Sequence, residues 1–143
     1  MVLTCKDILE KSFLSFRADT SAAEAAKQMN LNRHGFVVIT EDGGKPIGIV
    51  TEWDFISKVV AEGKDARHLK LGDLMSTDLV HVNADEGLDS AAQIMTEKGV
   101  RRLLVMKDGR VVGVVTVKDV LSRLREYIDT ISTQIARLQT LGH

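Results

Sequence analysis

Gly48-Ile49-Val50-Thr51-Glu52-Trp53-Asp54 and Gly113-Val114-Val115-Thr116-Val117-Lys118-Asp119 carry one pattern, Gly-x-x-Thr-x-x-Asp, twice in a chain of 143 residues. In both, an apolar run ends at the threonine and a helical pattern follows it. Outward from the pair the likeness continues. Phe36-Val37-Val38-Ile39 answers to Leu103-Leu104-Val105-Met106, and the turn Glu41-Asp42-Gly43-Gly44 answers to Lys107-Asp108-Gly109-Arg110. Further upstream, Ala25-Ala26-Lys27-Gln28-Met29 matches Ala91-Ala92-Gln93-Ile94-Met95, Ala18-Asp19 matches Ala84-Asp85, and Lys6-Asp7-Ile8-Leu9 matches Gly72-Asp73-Leu74-Met75. These upstream matches share one offset of 66 residues, Met75 standing against Leu9. Two copies of a unit this long form a pseudo-symmetric pair packed face to face, not a solenoid.

Each copy reads strand, helix, strand, strand, helix. Leu14 and Phe16, like Val80 and Val82, alternate with polar neighbours as a short strand does. Ser21-Ala22-Ala23-Glu24 has the form of a capping box. The helix after it carries a stripe of Ala22, Ala25, Ala26 and Met29, matched by Leu88, Ala91, Ala92 and Met95, with Gly99 as its stop. Continuous apolar runs at Phe36 and Leu103 predict strands buried on both faces. Asp-Gly between apolar runs predicts hairpins. The fold class is α/β (α+β): two β-α-β-β-α repeats packed through their sheets, over residues 1–66 and 67–126. A helical extension follows over 127–143.

The composition removes several function classes. With 19 basic and 20 acidic residues the net charge is −1, which gives no electrostatic ground for nucleic acid or an anionic membrane as a direct partner. No apolar run approaches the roughly 20 residues that cross a bilayer. The start, Met1-Val2-Leu3-Thr4-Cys5-Lys6-Asp7, reaches a charge pair too early for a signal peptide. Cys5 is the one cysteine, so no intrachain disulfide or thiolate cage forms, and a reducing cytoplasmic location is expected. His34, His68, His81 and His143 lack metal-ligand spacing. No nucleophile–base–orienter set is visible, so the chain is not expected to be an enzyme.

The chemistry lies in the repeated motif. A strand-to-helix junction offers free N–H groups and the positive end of a helix, which suits a phosphate. A threonine hydroxyl adds a donor, and an aspartate one turn in can accept from both hydroxyls of a ribose. Thr-x-x-Asp is equally a capping box that stabilises by about 1 kcal/mol with no ligand. On one copy the cap is the better reading. Glycine at the same spacing in both halves of a repeated fold reverses that preference.

Over residues 5–126 the repeat, the Asp-Gly hairpins and the paired Gly48-x-x-Thr51-x-x-Asp54 and Gly113-x-x-Thr116-x-x-Asp119 resemble a tandem pair of cystathionine-β-synthase-type (CBS) motifs, a Bateman module. The resemblance implies adenine nucleotides or S-adenosylmethionine in two clefts between the repeats, and pairing into dimeric discs. It places Asp54 and Asp119 on ribose and Thr51 and Thr116 near phosphate. The early strands, around Phe13-Leu14 and Leu79-Val80, would line adenine, and Arg33-His34 and Arg101-Arg102 would face phosphate. Lys118 lies inside the second motif where the first has Trp53, so phosphate is expected in the cleft nearer Lys118 and the arginine pair. Adjacent in a strand, Arg101 and Arg102 would point to opposite faces, at most one serving each cleft. Trp53 either covers a cleft or is buried in packing, and Cys5 only packs.

Beyond the second motif, Leu121, Leu124, Ile128, Ile131, Ile135 and Leu138 follow alternating spacings of three and four, a heptad seam. It lies either on its own module or, the reading favoured, against another chain. The expected function is a stand-alone regulatory module with AMP, ADP or ATP as regulatory ligand and no catalytic cofactor. A homodimer and an unidentified protein partner are expected. The alternatives are an S-adenosylmethionine module, or a structural dimerisation module with vestigial clefts.

Overall fold

The computed structural model describes residues 3–141, so His143 lies outside it. The first copy runs α1 (Cys5–Ile8), β1 (Leu14–Phe16), α2 (Ala22–Asn32), β2 (Phe36–Thr40), β3 (Pro46–Thr51) and α3 (Glu52–Phe55), which continues as a π turn over Ile56–Val60. The second runs α4 (Leu71–Leu74), β4 (His81–Asn83), α5 (Leu88–Lys98), β5 (Arg102–Lys107), β6 (Arg110–Thr116) and α6 (Val117–Leu141). The strand–helix–strand–strand–helix order holds in both. Each copy also opens with a helical turn, α1 or α4, that the pattern of apolar residues was too short to reveal.

Two three-stranded sheets result, ordered β1-β2-β3 and β4-β5-β6. β1 lies parallel to β2 and β4 to β5, and the helices α2 and α5 make the crossovers that parallel pairing requires. The Asp-Gly turns close antiparallel hairpins, with Phe36 opposite Thr51 and Arg102 opposite Thr116. This register fixes the correspondence between copies: Phe36 stands where Arg102 stands, and Gly35 where Arg101 stands. Val38, Leu104 and Val114 are buried between the sheets with Phe13, Phe36 and Leu79 against them, which is the face-to-face packing of the repeats.

The opening turns are exchanged. Cys5, Ile8 and Leu9 pack into the second copy's core with Val82, Met95 and Leu103, while Leu71 and Leu74 pack into the first copy's core with Val37, Ile39 and Val50. Burying a leucine in this way stabilises by about 2 kcal/mol, so each repeat is completed by the other. The exchange also explains the motif glycines. Glu10 pairs with Val114 as it crosses the second sheet, and Ser76 pairs with Ile49 as it crosses the first. A Cβ on Gly48 would lie 2.5 Å from the Met75 sulfur, and one on Gly113 2.9 Å from the Glu10 carbonyl oxygen. The glycines let the crossing chain approach the sheet.

Two local expectations fail. Ser21 makes no side-chain cap; instead the Ala22 N–H donates to the Leu69 carbonyl at 2.8 Å, because the incoming linker supplies a backbone acceptor. Ala92 is exposed rather than part of the buried stripe, and Ile94 packs against the core in its place.

Candidate functional site

At the end of β3 the chain turns into α3, and Thr51 sits at the turn. Its N–H donates to Asp54 Oδ2 at 2.8 Å, its hydroxyl lies 3.2 Å from the same oxygen, and the Asp54 N–H returns to the hydroxyl at 3.4 Å. Thr116 and Asp119 repeat this at 2.9, 2.9 and 3.2 Å. The capping box is therefore present in both copies. It occupies one carboxylate oxygen of each aspartate. Asp54 Oδ1 also holds Lys58 at 3.1 Å, whereas among the described residues Asp119 Oδ1 has no such partner.

Thr51 opens onto a cavity of about 480 Å³ between the repeats. Ile49 and Thr51 come from the first sheet; Leu79, Val80, Val100 and Leu104 supply an apolar wall from the second repeat. Lys98, Arg101 and Arg102 bring three cations to it, against the one carboxylate of Asp78. The structure thus gathers Thr51, Leu79, Val80, Arg101 and Arg102 from the residues expected at a site; Asp54 is hydrogen-bonded to Thr51 but does not itself line the cavity. Both arginines line this one cavity, contrary to the opposite-face expectation. Arg101 precedes β5, which starts at Arg102, so strand alternation does not govern it.

Arg102 is the unusual member. Its guanidinium carbon lies 4.5 Å from the centre of the Phe36 ring, a cation–π contact across the repeat interface. Its Nε is buried with no hydrogen-bond partner. Burial pushes its pKa below the ordinary arginine value, and Glu52 partly opposes the shift. A cation so placed is stabilised by an anion brought into the cavity.

The other expected residues are scattered. Arg33 and His34 line a separate cavity of about 450 Å³ between α2 and α3, with Glu52 and Phe55. Phe13 packs in the inter-sheet cluster. Leu14 packs against the first copy's core. Lys118 is exposed and does not border the arginine cavity, so the expected grouping of Lys118 with the arginine pair is corrected: those arginines face Thr51 across the repeat boundary. Trp53 is 67% exposed and therefore not buried in packing. Cys5 is fully buried, and burial with nearby Glu86 and Asp89 pushes its thiol up to about 11, so it packs and does not react.

Lys98 and Asp78 escaped the sequence reading. Lys98 closes α5 just before the left-handed cap Gly99, as Asn32 closes α2 before Arg33, and this matched position was the signal that could have found it. By register and helix position, the Thr116 side carries Phe13, Asn32, Gly35 and Phe36 where the Thr51 side carries Leu79, Lys98, Arg101 and Arg102. Among the described residues no group of three or more His, Cys, Asp or Glu is placed to hold a metal, and no helix is long and apolar enough to cross a membrane.

Comparison with known proteins agrees with this architecture. An uncharacterized protein of Methanopyrus kandleri is 31% identical over 134 residues, spanning 93% of this chain and 68% of that protein. Of some curated relatives the chain spans only 22% to 55% of the length, while of Hypoxic response protein 1 of Mycobacterium tuberculosis, 27% identical over 124 residues, it spans 87%. The crystal structure of the CBS domain pair of protein MJ0100, in complex with 5′-methylthioadenosine and S-adenosyl-L-methionine, superposes with a TM-score of 0.74 at 31% identity, over 88% of this chain and 98% of that one. A hexameric CBS-CP12 protein from bloom-forming cyanobacteria superposes at 0.76 with 27% identity, over 85% and 67%. The CBS domain family model matches residues 5–61 and again 71–126, and the chain therefore belongs to the CBS domain family, as a tandem pair of its motifs.

Proposed function

We propose that this CBS pair is a regulatory module that takes AMP, ADP or ATP in the Thr51 cleft and relays the bound state to a protein partner in a reducing cytoplasm. CBS pairs commonly bind adenosine-containing ligands and are generally regulatory rather than catalytic. The observation that carries the nucleotide reading is Arg102, a desolvated guanidinium with an unpaired buried nitrogen beside Lys98 and Arg101. Three cations against one carboxylate favour phosphates over a neutral or cationic ligand. The wall of Leu79, Val80 and Leu104 suits the flat face of a purine, and Asp54 Oδ1 can exchange Lys58 for a ribose hydroxyl. On the Thr116 side Phe13, Asn32, Gly35 and Phe36 stand at the positions of Leu79, Lys98, Arg101 and Arg102, none of them a cation, so one nucleotide per chain is expected.

S-adenosylmethionine is the second reading, favoured by the 31% identical pair that carries it and by Asp78 in the cavity. Calorimetric titration with AMP, ADP, ATP and S-adenosylmethionine separates the two. Binding of one phosphorylated ligand per chain, lost in Asp54→Ala and kept in Asp119→Ala, is the expected result. Binding of S-adenosylmethionine alone favours the second reading. Heat from none of the four removes the sensor and leaves both motifs as helix caps.

A further inference from the structure

Lys58 stands between the Thr51 cleft and the segment that joins the repeats. Its Nζ lies 3.1 Å from Asp54 Oδ1 and donates to the Leu74 carbonyl at 2.8 Å. Both Asp54 oxygens are therefore engaged, Oδ2 by the Thr51 cap and Oδ1 by Lys58. A ribose hydroxyl donates to a carboxylate oxygen, and Lys58 competes for the one that the cap leaves over. Leu74 ends α4, where the last carbonyls of a helix favour a cation. Two residues on, Ser76 pairs with Ile49, and Ser76, Asp78, Leu79 and Val80 line the cavity. One side chain thus ties the aspartate to the root of the cavity's second wall.

A second position lies beside the first. Lys58 also borders a cavity of about 290 Å³ with Glu62, Lys64, Leu69, Asp73 and Leu74. Two carboxylates against Lys64 leave one negative charge there for a further cation to balance. The Lys58 ammonium carries three donors, so it can turn from Asp54 towards these carboxylates about its bond to Leu74. Its side chain is 45% exposed against 14% for Asp54, which makes the lysine the member free to move. The arrangement is confined to the first copy. Arg123 holds the matching position, four residues after Asp119, and bonds Glu126 at 3.3 Å instead. α6 runs on there as a regular helix, where the first copy has the π turn Ile56–Val60 around Lys58. Such turns recur at functional sites.

We infer that Lys58 is a two-position switch, held on Asp54 in one position and by Glu62 and Asp73 in the other, and that a ligand's ribose hydroxyls drive the exchange by taking Asp54 Oδ1. The inference rests on the reading that an adenosine ligand enters the Thr51 cleft, and it supplies the route by which occupancy leaves the cleft. Glu62, Lys64 and Asp73 are exposed, so the exchange redistributes charge on the surface between the π turn and α4, where a partner can read it. Lys58 is a positioning residue: it acts on the ligand through Asp54.

Calorimetric titration of the full chain with AMP and with dideoxy-AMP, which lacks both ribose hydroxyls, tests the switch. Lys58→Met should tighten AMP about threefold, the worth of a partly exposed ion pair, and leave dideoxy-AMP unchanged. Glu62→Gln weakens the second position and should loosen AMP about twofold, again with dideoxy-AMP unchanged. Lys58→Arg keeps the pair and should bind AMP as the wild type does. Bare charge predicts the opposite signs, since losing a cation weakens an anion's binding and losing a carboxylate strengthens it. Those opposite signs, equal changes for the two nucleotides, or no change in either variant would overturn the switch and leave the nucleotide reading standing. No heat from AMP with the wild type overturns that reading, and the switch falls with it. Glu62 is on the surface, so Glu62→Gln decides the matter where circular dichroism shows Lys58→Met unfolded.

Discussion

The Thr51 and Thr116 clefts share a plan and diverge in lining. Both close on the same capping box, with the aspartate held 2.8 or 2.9 Å from the threonine N–H. Both have a glycine three residues earlier, and both are crossed by the opening segment of the other repeat. Yet Arg102 lines the Thr51 cleft, its counterpart by register is Phe36, and the two meet in a cation–π contact. The asymmetry is therefore coupled: the aromatic ring that stands in the first copy at the arginine's position is the platform on which the second copy's arginine rests.

The largest effect should separate the two glycines. Gly113→Ala sets a Cβ 2.9 Å from a backbone oxygen, which cannot step aside, while at Gly48 the obstacle is the flexible Met75 side chain. Denaturant unfolding should show a loss of about 3 kcal/mol for Gly113→Ala and about 1 kcal/mol for Gly48→Ala. Equal losses would mean that the crossings are mechanically alike. Next comes the cation. Arg102→Ala should weaken AMP binding about thirtyfold, the loss of one charged hydrogen bond of about 2 kcal/mol, and calorimetry checks it. Unchanged affinity would break the asymmetry between the clefts.

A smaller difference lies at the helix ends. α2 is capped by Arg33 at φ 55°, where α5 has Gly99 at φ 64°. Arg33→Gly should raise stability by up to about 1 kcal/mol in the same unfolding assay, since glycine takes this conformation freely. The smallest effect belongs to the linker between the repeats. Asp65 is held at about 2, below the ordinary 3.8, by hydrogen bonds from the Arg67 side chain and backbone. A depressed carboxylate stabilises the fold above its ordinary pKa and loses that contribution as pH falls from about 4 towards 2. Asp65→Asn should lower stability slightly near neutrality and flatten this acid limb, the two curves converging as pH falls towards 2.

How much of this was legible follows from what each residue answers to. The central strands β2 and β5 were readable because Val37, Val38 and Ile39, like Leu103, Leu104 and Val105, are buried on both faces and so must all be apolar. The threonine–aspartate pairs were readable because their partners lie three residues away. α1 and α4 were not, because four residues give no period and their burial comes from the other repeat. Ser21 misled for a related reason: a distant carbonyl, that of Leu69, supplied the acceptor that the local motif seemed made to provide.

By itself, then, the sequence determined the duplication, the order of elements, the hairpins and the exposed seam of α6, because these rest on periodicity and neighbours along the chain. Only the tertiary structure decided that the opening turns are exchanged between cores, that the motif glycines serve a chain crossing, and that the arginine pair belongs with Thr51 and not with Lys118. Each of these depends on contacts between residues far apart in the chain, and a one-residue difference in loop length is enough to hide the correspondence until hydrogen-bond register sets Arg102 opposite Thr116 and Phe36 opposite Thr51.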